Sequence, residues 1–245
     1  MPKESIDLTV TSPPYDNLRK YNGYNFDVAN IIEGLFKVTK QGGVVVWVVG
    51  DATIDGSETG SAFRQALNFI QCGFRLHDTM IYQKINYIPL THNRYEQAFE
   101  YMFVFSKGKP KTFNPIREKT FGAGSKYNLK RKGYCSTIKE GAQRRRDENI
   151  VTNETKIKSN IFQYTLGADR VGHPAPFPEQ LSADQIFSWS NEGDIVYDCF
   201  GGSGTTIKMV HILKRKWIMS EISKEYCDIA FKRIQPFLQQ QTFNF

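Results

Sequence analysis

A doubly wound, mostly parallel α/β sheet with an inserted basic segment is the fold this sequence predicts. Three observations predict it: short apolar strands alternate with amphipathic helices, two unusual loops leave the carboxyl ends of strands, and Lys/Arg crowd into one internal stretch. Asp7 to Thr11 reads as a buried strand, and the "TSPPY" that follows cannot extend it, because proline lacks the backbone donor a ladder needs. From Phe26 to Lys40 apolar residues recur at helical spacing (Phe26, Ile31, Ile32, Leu35, Phe36), and "QGG" reads as the close of that helix. "VVVWVV", Val44 to Val49, is a fully buried strand. A helix from Ser61 to Gln71 ends at Gly73, and strands follow at Leu76 to Gln83 and Ala98 to Lys107. After the basic stretch come a helix from Pro178 to Phe187, a strand from Asp194 to Asp198, and a helix to Leu213 capped by Ser203 or Thr205. A strand from Trp217 to Glu221 and a last helix from Tyr226 to Gln239 complete the alternation.

A chain of 245 residues suits one such domain carrying an insertion. It divides into a first half, 1–106, an insertion, 107–165, and a second half of the same sheet domain, 166–245. Hydrophobic content of 40% and aromatic content of 13% exclude a chain disordered as a whole. Four scattered cysteines (Cys72, Cys135, Cys199, Cys227), none in a C-x-x-C pair, argue against a disulfide framework and a zinc site. The expectation is therefore a reducing cytoplasm and no metal. No apolar run approaches the roughly 18 residues of a membrane span, so no membrane partner is expected. The net charge of +7 is concentrated: between Lys107 and Lys158 fifteen Lys/Arg face five Asp/Glu, which leaves the rest of the chain net acidic. Cations interleave there with Tyr127 and Tyr134, a composition that can track a phosphate backbone and release its counterions. Lys130, Arg131, Lys132, Arg144, Arg145 and Arg146 are the candidate contacts to nucleic acid, against the plainer reading of a solvated loop.

In doubly wound sheets, ligands sit beyond the carboxyl ends of strands where the strand order reverses. "TSPPY" and "DCFGGSGTT" both leave such ends and are expected to face one crevice. The glycines of the second loop, Gly201, Gly202 and Gly204, permit tight turning and close approach of a ligand, although the string is neither a Walker loop nor a full G-x-G-x-x-G. Glu221 ends the next strand at the interval where an acidic residue meets ribose hydroxyls, with a helix cap as the plainer alternative. Upstream, "VGHPAPFPEQL" packs three prolines into six residues before a helix with Glu179 in its first turn, either a stiff connector or one wall of a pocket. Asp51 ends a strand at the same rim, as a secondary contact or a helix cap.

"TSPPY", "HPAPFPEQL" and "DCFGGSGTT", with a basic insertion after the first, together resemble the beta-type DNA amino-methyltransferases, and the likeness spans roughly Asp7 to Ile234. It implies a Rossmann-like methyltransferase sheet, S-adenosyl-L-methionine as cofactor, double-stranded DNA as partner, and an insertion that recognises the target sequence. It implies site-specific methylation of an exocyclic amine, as in restriction-modification, within a prokaryotic cell or a phage-infected host. Ser12 and the Pro13 carbonyl would accept hydrogen bonds from the amine of a flipped base, Pro14 would stiffen the loop, and Tyr15 would stack on the ring. Thr11, Asp198, Cys199, Phe200, Gly201, Gly204 and Thr205 would surround the cofactor, with Glu221 on its ribose. His173, Pro174, Ala175, Pro176 and Phe177 would wall it. None of the four cysteines follows a proline, which excludes the C5 reaction of cytosine. Serine at the first position of S-P-P-Y favours cytosine N4 over the alternative, adenine N6.

One departure stands out. Relatives of this arrangement carry, ahead of the catalytic strand, another strand ending in Gly-Asp on the adenine side of the cofactor; here only "MPKESI" precedes it. The expectation is an open adenosine pocket with weak cofactor affinity, or a homodimer that covers it. Rival readings are a nucleotide-binding oxidoreductase, a catalytically dead fold acting as a DNA-binding module, and an RNA or protein-glutamine substrate.

Overall fold

The computed structural model describes residues 1–14, 27–87, 93–121, 126–127, 150–151, 153–165 and 178–240. The first half contains β1 (Ile6–Thr11), α1 (Val28–Val38), β2 (Thr39–Val49), the short strands β3 (Thr53–Ile54) and β4 (Ser57–Glu58), α2 (Ser61–Cys72), β5 (Arg75–Lys84) and β6 (Phe99–Ser106). There follow β7 (Arg117–Lys119), β8 (Lys126–Tyr127), β9 (Ile150–Val151), β10 (Thr155–Ile157) and β11 (Ile161–Tyr164). The second half supplies α3 (Glu179–Trp189), β12 (Ile195–Asp198), α4 (Thr205–Ile212), β13 (Lys216–Met219) and α5 (Lys224–Gln240).

Among the described residues seven strands form the main sheet, in the order β11-β5-β6-β2-β1-β12-β13. Only β6 runs against its neighbours; the other four pairings are parallel, as the alternation of strand and helix requires. From β1 the chain returns through α1 to β2 on one side, and from β12 through α4 to β13 on the other. The junction of β1 and β12 is therefore the switch point of the sheet.

Val44 to Val49 are all buried, so β2 is covered on both faces, and side-chain alternation divides it between two layers. Val45, Trp47 and Val49 join Ile32 and Leu35 of α1, Phe69 of α2 and Phe103 and Phe105 of β6 in one core. There Phe69 stacks on Phe105 with ring centroids 4.1 Å apart, and the Trp47 indole N–H donates to Gln65 at 2.7 Å, so its one polar atom is satisfied. Elsewhere in the fold α3 packs on α4, and α4 on α5.

Two local expectations are corrected. "QGG" does not close α1: the helix stops at Val38 with Thr39 in extended backbone, and the glycines lie inside β2. Gly42 there takes φ +78°, and a Cβ on Gly43 would come within 2.8 Å of Thr39 Cγ2, so this crossing admits no side chain. Neither Ser203 nor Thr205 caps α4; its N-cap is Gly204 in the left-handed region, without a side-chain cap. Gly73, by contrast, ends α2 as the sequence predicts, at φ +111° with its N–H on Ile70 O.

The chain divides into two compact units, Met1–Asn114 with Ser159–Phe245, and Pro115–Lys158. In the second, β7 pairs antiparallel with β10 and β8 with β9, and the Arg117 guanidinium donates to the Thr155 hydroxyl and carbonyl, both at 2.9 Å. Strand β11, unread in the sequence, adds to β5 at the edge of the main sheet. No helix among the described residues is long and apolar enough to cross a membrane.

Candidate functional site

The site lies at the carboxyl edge of the sheet, around the switch point. β1 pairs in register with β12 (Leu8 with Val196, Thr9 with Tyr197), so their ends meet: the Thr11 hydroxyl donates to Asp198 Oδ1 at 2.7 Å. The chain leaving Thr11 is Ser12-Pro13-Pro14, with Pro13 buried; the chain leaving Asp198 is the glycine loop. The two loops singled out in the sequence thus spring from adjacent strand ends joined by one buried hydrogen bond. Tyr15, His173, Pro174, Ala175, Pro176, Phe177 and the basic residues Lys130, Arg131, Lys132, Arg144, Arg145 and Arg146 lie outside the described residues.

Asp198 is buried, and among the described residues the donors that reach it are neutral: the Thr11 and Thr206 hydroxyls and the Phe200 N–H at 3.1 Å. Burial pushes its carboxyl above the ordinary range, those donors pull it back, and the Glu221 charge adds to the rise. Burial, with the Asp198 charge second, also pushes the Cys199 thiol well above its ordinary value; the thiol donates to Thr11 Oγ1 at 3.7 Å. A protonated thiol in that position is no nucleophile.

The loop is pinned at several points. Phe200 packs edge-on against Trp47 with centroids 6.0 Å apart, the Gly201 N–H donates to Ser220 O, and Gly204 N–H to Gly201 O. A Cβ on Gly201 would meet Met219 Cγ at 2.1 Å; one on Gly204, at φ +77°, would meet Ala230 Cβ at 2.8 Å. At Gly201 the space is taken by Met219 of β13, and at Gly204 by Ala230 of α5, where the left-handed turn also calls for glycine. Glu221, two residues beyond β13, accepts the Gly202 N–H at 2.8 Å on one oxygen and the Ser223 N–H at 2.9 Å on the other. It therefore ties the loop to the start of α5. Each oxygen keeps a further lone pair for an outside donor such as a ribose hydroxyl. Asp51 answers differently: it accepts the Ala62 N–H at 2.9 Å and the Ser61 hydroxyl at 3.0 Å, which makes it a helix cap for α2.

Sequence reasoning missed the support behind this loop. Arg233 of α5 reaches Thr205, Ser203 and Glu179, and Lys208 reaches the same Glu179 oxygen. Glu179 and Arg233 are 54 residues apart, and no local pattern announces such a pair. Among the described residues, the carboxylates hydrogen-bonded to the loop from the strand ends are Asp198 and Glu221. Acceptors of that kind fit the hydroxyls of a nucleoside diol and a ligand with a positive centre, and they disfavour the pyrophosphate of a dinucleotide. Among the described residues no group of three or more His, Cys, Asp or Glu could hold a metal ion.

Residues 6–232 match a family model described as DNA methylase. The chain is 52% identical over 243 residues to the orphan methyltransferase M.BamHII of Bacillus amyloliquefaciens, an alignment that covers 96% of this chain and 90% of that protein. It is 28% identical over 243 residues to the type II methyltransferase M.BglII of Bacillus subtilis, covering 95% and 64%. Among solved structures, the M1.HpyAVI–SAM complex matches with a TM-score of 0.63 at 24% identity, over 94% of this chain and 89% of that one. The PvuII DNA methyltransferase (cytosine-N4-specific) matches with a TM-score of 0.65 at 22% identity, over 98% and 86%. At these identities the two structures speak to the fold alone.

Proposed function

The chain belongs to the DNA methylase family, and from that premise we propose that it moves a methyl group from S-adenosylmethionine to the exocyclic amine of a base extruded from double-stranded DNA, at cytosine N4. The observation that carries this reading is the 2.7 Å hydrogen bond between Thr11 and Asp198, because it sets the Ser12-Pro13-Pro14 loop beside the glycine loop at the switch point of the sheet.

The cofactor supplies an electrophilic methyl on a sulfonium. Glu221 would take its ribose hydroxyls, and the Asp198 to Thr205 loop would hold the rest. An amine conjugated to a base ring is a poor nucleophile, since its lone pair is delocalised. The Ser12 hydroxyl and the Pro13 carbonyl accept its N–H bonds, which localises that pair and aims it across the crevice; the diproline keeps these acceptors from relaxing. With the cofactor bound, the amine nitrogen would take the methyl, the C–S bonding pair would remain with the departing sulfur, and the surplus proton would leave the nitrogen for solvent. Base extrusion costs a few kcal/mol, of which stacking on Tyr15 returns roughly 1–3. Lys130 to Lys132 and Arg144 to Arg146 supply phosphate contacts to the duplex.

Among the described residues β13 is the last strand of the sheet on the Glu221 side, and a second protomer covering that edge is part of the proposal. Calorimetry that finds tight S-adenosylmethionine binding by a monomer removes that part.

Labelled methyl transfer to duplex DNA, followed by mass spectrometry of the nucleosides, tests the whole. The expected product is N4-methylcytosine, with Ser12→Ala slower by roughly 100-fold. N6-methyladenine would move the reading to its alternative. Salt-steep DNA binding without any transfer would leave a DNA-binding module, and transfer to RNA or to a protein glutamine instead would change the substrate class.

A further inference from the structure

We propose that Arg233, on the last helix, is a positioning residue that fixes the glycine loop for the cofactor; the inference rests on the cofactor role of that loop proposed above. Helix α4 starts behind Gly204 with no side-chain cap. The two hydroxyls placed to serve there are occupied from α5 instead. Arg233 Nη1 donates to Thr205 Oγ1 at 2.8 Å and lies 3.3 Å from Ser203 Oγ and 3.5 Å from Ser203 O. Its Nη2 donates to Glu179 Oε1 at 2.6 Å, in the first turn of α3, and Lys208 Nζ donates to the same oxygen at 2.7 Å. The planar fork thus holds α3 and both flanks of Gly204 at once, which a single ammonium cannot do.

Its placement runs against simple electrostatics. A cation beside the first turn of α4 meets the positive end of the helix dipole, where anions are preferred. Glu179 supplies the compensating charge: burial alone would raise its carboxyl, and Lys208 and Arg233 together hold it below the ordinary range. Ser203 and Thr205 are buried, and the Arg233 side chain is only 12% exposed, so the fork is enclosed rather than a mobile surface pair. The same helix touches the loop a second time, one turn earlier, where Ala230 fills the space a Cβ on Gly204 would need. α5 therefore sets the loop from Ser203 to Thr205 through two contacts at i and i+3. Displacements of about 1 Å in such a loop are enough to change ligand affinity or rate by orders of magnitude.

The test uses the full chain and the variants Arg233→Gln, Arg233→Lys and Glu179→Gln. S-adenosylmethionine Kd is read by calorimetry without DNA, alongside unliganded Tm, duplex-DNA Kd, and KM and kcat. Arg233→Gln is expected to raise Kd and KM for S-adenosylmethionine about 10-fold, equivalent to about 1.4 kcal/mol, with kcat at saturation and the DNA Kd within twofold. Arg233→Lys, which keeps the charge and loses the fork, is expected to shift Kd about threefold, and Glu179→Gln to fall between the two. A wild-type Kd in Arg233→Gln, or a fall in Tm and kcat with Kd unchanged, would overturn the inference; if Arg233→Gln does not fold, Arg233→Lys is read by the same criteria. Wild-type protein that binds no S-adenosylmethionine would overturn the proposed function itself, and the inference with it.

Discussion

Asp7 and Asp198 lie buried at opposite ends of neighbouring parallel strands, 2% and 4% exposed, and the protein holds them in opposite ways. At the amino end, Asp7 takes Lys40 at 2.7 Å, Lys111, and the Ile195 N–H at 3.0 Å. At the carboxyl end, the donors to Asp198 among the described residues are all neutral. Burial raises both carboxyls; at Asp7 the Lys111, Lys40 and Ile195 contacts overcome it and the pKa falls, while at Asp198 the Thr11, Thr206 and Phe200 contacts do not and it rises. The amino end is a lock, built from paired charges. Among the described residues the carboxyl end leaves its acid under-compensated, a pattern that supports the ligand role proposed for Asp198.

Substitution at Asp198 should separate the two ends most strongly. Asp198→Asn keeps the shape and removes the unfavourable charge, so S-adenosylmethionine affinity should fall about 100-fold, about 2.7 kcal/mol, while Tm stays level or rises. A large loss of Tm with binding intact would reverse the roles assigned to the two ends. Asp7→Asn should do the opposite, lowering stability by roughly 2 kcal/mol in denaturant melts with kcat/KM per folded molecule unchanged. That figure sits below the usual penalty for breaking a buried pair, because both lysines remain partly solvated.

Acid titration sharpens the same contrast. The lowered pKa of Asp7 means its stabilisation is full above its unfolded value, near 4, and is lost as pH falls through the lower folded value. Asp198 has the reverse sign: its contribution is present below the unfolded value and is lost as pH rises through the higher folded value. Melts from pH 2 to 7 should therefore show a shallower acid limb in Asp7→Asn and a flatter rise toward acid in Asp198→Asn. Gly204→Ala should cost about 1–2 kcal/mol and Gly201→Ala less, since Gly204 combines φ +77° with the fixed Ala230, whereas Met219 can swing away. Thr11→Val stands with Gly201→Ala at the small end, at about 1 kcal/mol by the same melts, from loss of one buried hydrogen bond to Asp198.

Most of the main sheet was legible because its signals are local: each long strand and helix carries its own period, and Gly73 announces the end of α2. What escaped reading was decided at a distance. The four residues of β11 become a strand only by pairing with β5, "QGG" belongs to a strand because β1 and β2 shift register beside it, and Gly204 displaces the expected hydroxyl caps because Arg233 occupies them. The site follows the same rule. Turn chemistry placed Ser12, Asp198, the glycines and Glu221 at strand ends, but that Thr11 meets Asp198, and that Arg233 braces the loop, depends on which strands and helices become neighbours.

The most direct test of the shared crevice is photo-crosslinking with methyl-labelled S-adenosylmethionine, followed by peptide mapping. The label is expected on the peptides carrying Thr11 to Tyr15 and Asp198 to Thr205, and to be suppressed by unlabelled S-adenosylhomocysteine. Suppressible label confined to peptides remote from both loops would contradict the account.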